Sequence, residues 1–143
     1  MLFGKKNRRI QRILVVEDEP LVAFDAEHLL ADSGYEIVAT TDLVSEGLAV
    51  VNSDVAVDLV LVDVALSDGS GIDVARAAHG RGVPVLFVTG SCPEGAREVA
   101  AGCLAKPYPQ RDLLAAIEVL ETMLGGKTPR KLPGSLSLFA KTA

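Results

Sequence analysis

The stretch "PVLFVTGSCPEGAREVAAGCLAKPYP", from Pro84 to Pro109, holds an apolar run ending in Thr89, a segment with helical spacing, and a second apolar run ending in Lys106-Pro107. Neither run alternates polar and apolar residues, as a strand with one wet face does. A continuous apolar run marks a strand covered on both faces, the pattern of a parallel sheet flanked by helices. Two such strands joined through a helix make a right-handed crossover that brings both carboxyl ends to one edge of the sheet. A hydroxyl and an ammonium then stand as neighbours there.

Working outward, the same pattern recurs. "RILVVED", "YEIVAT", "LVLVDV", "VPVLFVTG" and "CLAKP" alternate with "PLVAFDAEHLLADSG", "LVSEGLAVVNSD", "GIDVARAAHGRG", "PEGAREVAAG" and "QRDLLAAIEVLETMLGG". The second set carries apolar residues near helical spacing and mostly ends in Gly, Asn or Asp. The pattern predicts an α/β fold: a doubly wound five-stranded parallel sheet with five helices, too few units for a closed eight-stranded barrel. Any site is expected beyond the carboxyl ends of the strands.

The chain has 143 residues, 49% of them hydrophobic, enough to bury a core of Val, Leu, Ile and Ala in one domain. Residues 1–11 read as a basic extension, 12–124 as the folded domain, and 125–143 as a basic tail containing Gly, Pro and Ser, in which Leu136, Leu138 and Phe139 are able to dock. No apolar stretch approaches the roughly 18 residues of a spanning helix, and the basic N-terminus lacks a signal core, so a cytoplasmic protein without membrane insertion is expected. All 19 acidic residues lie within 13–124 against five basic ones, a net charge of -14. That balance argues against a DNA-binding face and leaves the basic ends as solvated tails. Cys92 and Cys103 have no metal or redox spacing and are expected to be small buried or half-buried thiols. His28 and His79 stand alone, without partners at ligand spacing.

The chemistry lies at the strand ends: Glu17-Asp18-Glu19 after the first, Asp63 at the end of the third, Thr89 after the fourth and Lys106-Pro107 after the fifth. Singly, each has a bland reading as turn former, helix cap or strand exit. Together, in order and at the same edge, they describe a site. Converging carboxylates repel one another and need a cation. Hard oxygen ligands with positions left open suit Mg²⁺, whose shell phosphate oxygens complete. Asp63 is the best-placed nucleophile, able to form an acyl phosphate. Lys106 would neutralise phosphoryl oxygens and Thr89 would donate to one of them.

Over residues 12–124 the sequence resembles the receiver domain of two-component response regulators. The resemblance rests on Glu17 and Asp18 in "VVEDEP", Asp63 and Gly71 in "LVLVDVALSDGSG", Thr89 in "FVTG" and Lys106-Pro107 in "AKP". It implies a flavodoxin-like strand order of 2-1-3-4-5, phosphorylation of Asp63, and Mg²⁺ held by Asp18 directly, with Glu17, Asp63 and the Ala65 carbonyl completing the site. It further implies Thr89 as the switch hydroxyl, Lys106 as the phosphate-binding cation, and a Lys106-Pro107 bond that is often cis. The phosphodonor would be a sensor histidine kinase or a phosphotransfer protein. The signal would leave through a downstream protein partner, from a monomer or weak dimer.

Two departures matter. Leu66-Ser67 stands where the family usually has Met-Pro, and Cys103 occupies the position of the switch aromatic. "FVTGS" is similar to the "FATGY" stretch of a subgroup found with a distinct class of alphaproteobacterial kinases, from which Val88 and Ser91 differ. That similarity implies movement of Thr89 and the segment behind it, with Gly90 and Gly95 supplying backbone freedom. The surface from Ser91 to Ala101 and from Lys106 to Leu114 is the expected partner face, its alanines suited to close helix packing. A hydrolase acting through an aspartyl phosphate would want an acid where Ala65 stands. A pure docking module would not need the full acidic set, and a flavin site would want Ser, Thr and Gly where "VVEDEP" stands.

Overall fold

The computed structural model describes residues 8–139. In chain order the elements are β1 (Arg12–Val16), α1 (Pro20–Asp32), β2 (Glu36–Thr41), α2 (Val44–Val51), β3 (Leu59–Val62), β4 (Ala65–Leu66), β5 (Gly69–Ser70), α3 (Gly71–Gly80), β6 (Val85–Thr89), a 3-10 turn (Arg97–Val99), β7 (Gly102–Ala105), α4 (Gln110–Leu124) and β8 (Leu136–Leu138). The main sheet has the order β2-β1-β3-β6-β7-β8. Its first five strands are parallel, and β8 runs antiparallel to β7.

Apolar runs become two-sided strands because alternate residues feed two separate cores. Ile13, Val15, Leu59, Leu61, Leu86, Val88 and Leu104 pack with Ala26 and Leu30 of α1 and Leu113, Ala116, Ile117 and Leu120 of α4. Leu14, Val16, Val60, Val62, Val85, Phe87 and Cys103 face the other way, onto Val44 and Val51 of α2 and Val74, Ala75 and Ala78 of α3. β1, β3, β6 and β7 thus lose water from both sides, whereas β2, at the sheet edge, keeps Glu36 and Thr40 exposed.

Two expectations about the layout need correction. "PEGAREVAAG" forms no α-helix, only the three-residue turn Arg97–Val99, so the described chain has four helices where five were expected. Gly95 lies inside the segment and Val99 is its single full-sized apolar residue, too little buried surface to offset the cost of nucleating a helix. The face such a helix would cover is filled instead by Phe139, buried in the same core as Ala96, Ala100 and Cys103. The second correction is β8. Leu138 opposes Gly102 and Leu136 opposes Leu104, while the Phe139 amide donates to the Ala101 carbonyl at 3.0 Å. Part of the tail therefore belongs to the sheet, and Gly102 is needed where it passes, since a Cβ there would lie 2.6 Å from the Ser137 carbonyl oxygen.

At the other boundary Ile10 is fully buried, and its amide and that of Arg9 each donate at 2.9 Å to the Glu121 carboxylate on α4. The core thus reaches two residues earlier than Arg12.

Candidate functional site

β1, β3, β6 and β7 are adjacent and parallel, so their carboxyl ends bring residues distant in sequence to one edge. Lys106, just past β7, is the hub. Its Nζ lies 2.8 Å from Asp63 Oδ2, 2.8 Å from Glu17 Oε1 and 2.6 Å from Glu19 Oε2. The Lys106 amide also donates to the Thr89 carbonyl at 2.9 Å, which ties the ends of β6 and β7 together. The Lys106-Pro107 peptide bond is cis.

Glu17 and Asp63 are each only 5% exposed, so their charges depend on these partners. Burial pushes the Glu17 carboxyl up to about 7, although the Lys106 ammonium and the Glu19 amide pull the other way. For Asp63 burial acts in the same upward direction, but hydrogen bonds from Lys106 and Thr89 outweigh it and hold the carboxyl below its usual range. Burial would lower the pKa of Lys106, yet its bonds to Asp63, Glu17 and Glu19 raise it above the ordinary lysine value. Asp63 is therefore an ionised carboxylate beside a fixed ammonium.

The remaining members sit close by. Carboxylate oxygens of Glu17, Asp18, Glu19 and Asp63 lie within 4.8 Å of one another. Four acids around one lysine leave an excess of negative charge, and all the donors are hard oxygens, so the residues present fit a small divalent cation such as Mg²⁺. Glu19, named in the sequence only as part of the acidic run, proves to be a direct partner of Lys106. Its amide donates to Glu17 Oε2 at 3.0 Å, and it ends where Pro20 opens α1. Ala65 reaches the site through its amide, which donates to Asp63 Oδ1 at 3.2 Å.

Gly71 explains how a helix approaches this closely. It opens α3, and its amide donates to the Val64 carbonyl at 2.7 Å. A Cβ at that position would lie 1.9 Å from the Asp63 carbonyl oxygen. Around Leu66-Ser67, Ala65–Leu66 pairs with Gly69–Ser70 as a small antiparallel hairpin. Asp68, at its tip, accepts from the Val44 and Ser45 amides at 2.5 and 3.1 Å and so caps α2.

The switch residues divide. Thr89 is buried beside Asp63, Gly90 and Ser91 are exposed, and Pro107 is exposed next to Lys106. An open cleft of about 460 Å³, lined by Glu19, Asp25, Gly90, Lys106 and Tyr108, leads up to the cluster. Cys103 overturns an expectation: it is no free thiol but is bonded to Cys92, which lies in the loop after Thr89. No spacing rule pointed to that pair, because the partners meet only through the crossover between β6 and β7. The alanines of the expected partner face are also misread, since Ala96 and Ala100 point into the core.

Residues 13–118 match the response regulator receiver domain family, and the chain belongs to it. The chain is 33% identical over 111 residues to the phyllosphere-induced regulator PhyR of Methylorubrum extorquens, covering 73% of this chain and 41% of PhyR. It is 34% identical over 115 residues to the transcriptional regulatory protein PdtaR of Mycobacterium tuberculosis, covering 76% of this chain and 56% of that protein. The chain thus spans about half the length of these relatives. Among solved structures, a CheY-like receiver domain protein from Methanospirillum hungatei superposes with a TM-score of 0.73 at 27% identity, over 82% of this chain and 98% of that one. The fold is accordingly the CheY-like receiver fold, an α/β arrangement around a mostly parallel sheet, and the domain is a signalling domain of two-component systems.

Proposed function

We propose that Asp63 accepts a phosphoryl group from the phosphohistidine of a sensor histidine kinase or phosphotransfer protein, and that the phosphorylated form signals through contact with a downstream protein. The observation that carries this reading is the ionised Asp63 carboxylate held 2.8 Å from Lys106 inside a cluster of four acids. A carboxylate oxygen of Asp63 attacks phosphorus as the bond to the donor nitrogen breaks, giving an acyl phosphate. Lys106 is placed to hold the negative phosphoryl oxygens, and the Thr89 hydroxyl to donate to one of them.

Glu17, Asp18, Asp63 and the Ala65 carbonyl are the proposed Mg²⁺ ligands. When bound, the ion supplies positive charge to the carboxylates and to the incoming oxygens. Glu17 would hold the ion as its carboxylate, so its raised pKa makes proton and ion alternatives at this residue. Thr89 moving toward the phosphoryl group draws Gly90 and Ser91 with it, so the exposed loop beyond β6 is the proposed reporting surface. The likeness of "FVTGS" to the subgroup stretch supports this use of the loop. So does the fully buried Cys103, because no aromatic ring is available there to rotate. The reading places the domain in the cytoplasm, where its phosphodonor acts, with no DNA contact of its own and as a monomer or weak dimer. Among the described residues no helix is long and apolar enough to cross a membrane.

The test is intact mass after incubation with Mg²⁺ and a small acyl phosphate, beside Asp63→Asn and an EDTA control. A gain of one phosphoryl group that requires both the ion and Asp63 is expected. Equal labelling of Asp63→Asn, or no response to either the donor or beryllofluoride, would remove the reading.

A further inference from the structure

We propose that Cys92 and Cys103 form a thiol–disulfide exchange site, reactive toward dithiol reductants and peroxides, whose state sets the freedom of the loop behind Thr89. The coupling to phosphorylation rests on the function proposed above; the exchange chemistry does not.

The two sulfurs are unequally placed. Cys103 lies on β7 between Phe87 of β6 and Ser137 of β8, and it is fully buried. Cys92 is half-buried in the loop that leaves β6. An incoming thiolate thus meets Cys92 first, and Cys103 is the shielded leaving sulfur, an arrangement that directs exchange to one end of the bond. The bridge spans a sequence separation of 11 and closes the connection between β6 and β7 onto the sheet.

This connection has little else to hold it. Where a helix was expected there is only the turn Arg97–Val99. The loop's other anchors are the buried Ala96 and Ala100, the half-buried Val99 packed on the same core, the Ala101 amide on the Val85 carbonyl at 2.8 Å, and the Arg97 guanidinium 4.8 Å from the Phe139 ring centre. All of these lie beyond Cys92. Between Thr89 and Cys92 stand only Gly90 and Ser91, both exposed, and a Cβ at Gly90 would meet nothing within 4 Å. The bridge is therefore the nearest covalent restraint on the hydroxyl that must move, and opening it releases the loop from β7. In the reducing compartment that the proposed function implies, such a bridge would be transient and redox-sensing, whereas its exchange chemistry depends only on the placement of the two sulfurs.

One thiolate of a dithiol attacks the Cys92 sulfur, the bond between the cysteines breaks, and the Cys103 sulfur departs with the electron pair and takes up a proton. The second thiol of the reductant then displaces Cys92, leaving two protein thiols and an oxidised, cyclic reductant. In reverse, hydrogen peroxide oxidises Cys92 to a sulfenic acid with release of water or hydroxide. The Cys103 thiol then attacks this sulfur, a second water leaves, and the bridge is restored.

The full chain is treated with hydrogen peroxide or with dithiothreitol, without denaturant, and each form is read by intact mass, iodoacetamide labelling and hydrogen–deuterium exchange. The oxidised form should be lighter by about 2 Da and resist labelling, and dithiothreitol should open it in the folded protein. Deuterium uptake over residues 90–101 should rise on reduction while peptides from β1 and β3 stay unchanged. With Mg²⁺ and beryllofluoride, uptake in that loop should change more in the reduced form than in the oxidised one. Cys92→Ser, which cannot form the bridge, should show the reduced form's deuterium uptake over residues 90–101 under both treatments. Failure of the bridge to form, its resistance to dithiothreitol in the folded protein, or equal uptake over 90–101 in both forms overturns the proposal. If beryllofluoride alters neither form while uptake still follows the redox state, the phosphoryl-acceptor reading fails and the exchange site stands.

Discussion

Gly71→Ala separates helix propensity from packing, because the two predict opposite signs. Alanine in place of a helical glycine ordinarily stabilises by up to about 1 kcal/mol. At Gly71 the added Cβ would lie 1.9 Å from the Asp63 carbonyl oxygen, 2.9 Å from the Asp63 carbonyl carbon and 2.8 Å from Val62 Cγ2. Restoring even the 3.0 Å that real Cβ contacts keep needs a movement of about 1.1 Å. Both sides resist it. Val74, Ala75 and Ala78 of α3 are fully buried, and Asp63 continues directly from the fully buried Val62. Overpacking of this kind costs about 1–3 kcal/mol, and with backbone as the obstacle the upper half of that range applies. For a chain of this size that corresponds to a fall in melting temperature of roughly 6–12 °C.

The functional cost should exceed the cost in stability. If β3 yields in place of α3, Asp63 moves by about 1 Å, and misplacement on that scale lowers a reaction rate by about 100-fold. The assay is thermal and urea unfolding together with the initial rate of labelling by a small acyl phosphate. Gly80→Ala, at the far end of the same helix with nothing within 4 Å of its Cβ, is the matched control and should be neutral or slightly stabilising. If Gly71→Ala were as stable and as readily labelled as Gly80→Ala, the close approach of α3 to Asp63 would not be what that glycine serves.

Four further outcomes follow from the same geometry. Lys106→Met leaves the buried Glu17 and Asp63 without their cation, so a loss of about 3 kcal/mol is expected, partly recovered by Mg²⁺; denaturant titration with and without the ion checks this. Because burial lifts Glu17 from its usual 4.5 to about 7, the folded state keeps a proton that the unfolded chain has lost. Metal-free stability contributed by this group therefore falls as pH rises from about 4.5 to about 7, and Mg²⁺ binding should weaken roughly tenfold per pH unit below about 7; a titration giving equal affinity at pH 6 and pH 8 would exclude Glu17. Asp63 works in the opposite sense, its stabilising contribution present above the ordinary carboxylate range and lost on acidification below it. Phe139→Ala empties the space beside Ala96, Ala100 and Cys103 and should cost about 3 kcal/mol, with raised deuterium uptake in the loop over 90–101.

The parallel sheet and the cluster at its edge were legible in the chain because both follow from local facts. Continuous apolar runs such as "LVLV" can only be strands wetted on neither face, and crossover handedness then carries Glu17, Asp63, Thr89 and Lys106 to the same end. Glu19 was visible as a neighbour of Glu17 but not as a partner of Lys106, since its side-chain direction depends on how α1 leaves the sheet. What escaped the sequence was settled by competition among distant segments. The stretch Pro93–Gly102 has helical spacing, yet Phe139, 40 or so residues later, fills the face such a helix would need, and no local pattern registers that. Cys92 and Cys103 looked like two separate thiols because spacing rules describe cysteines close in sequence. The register between β6 and β7 set one against the other. The composition and periodicity of the chain thus determined which residues meet at the edge of the sheet. Tertiary packing alone decided what restrains the loop beside them, because that outcome depends on buried surface supplied from far along the chain.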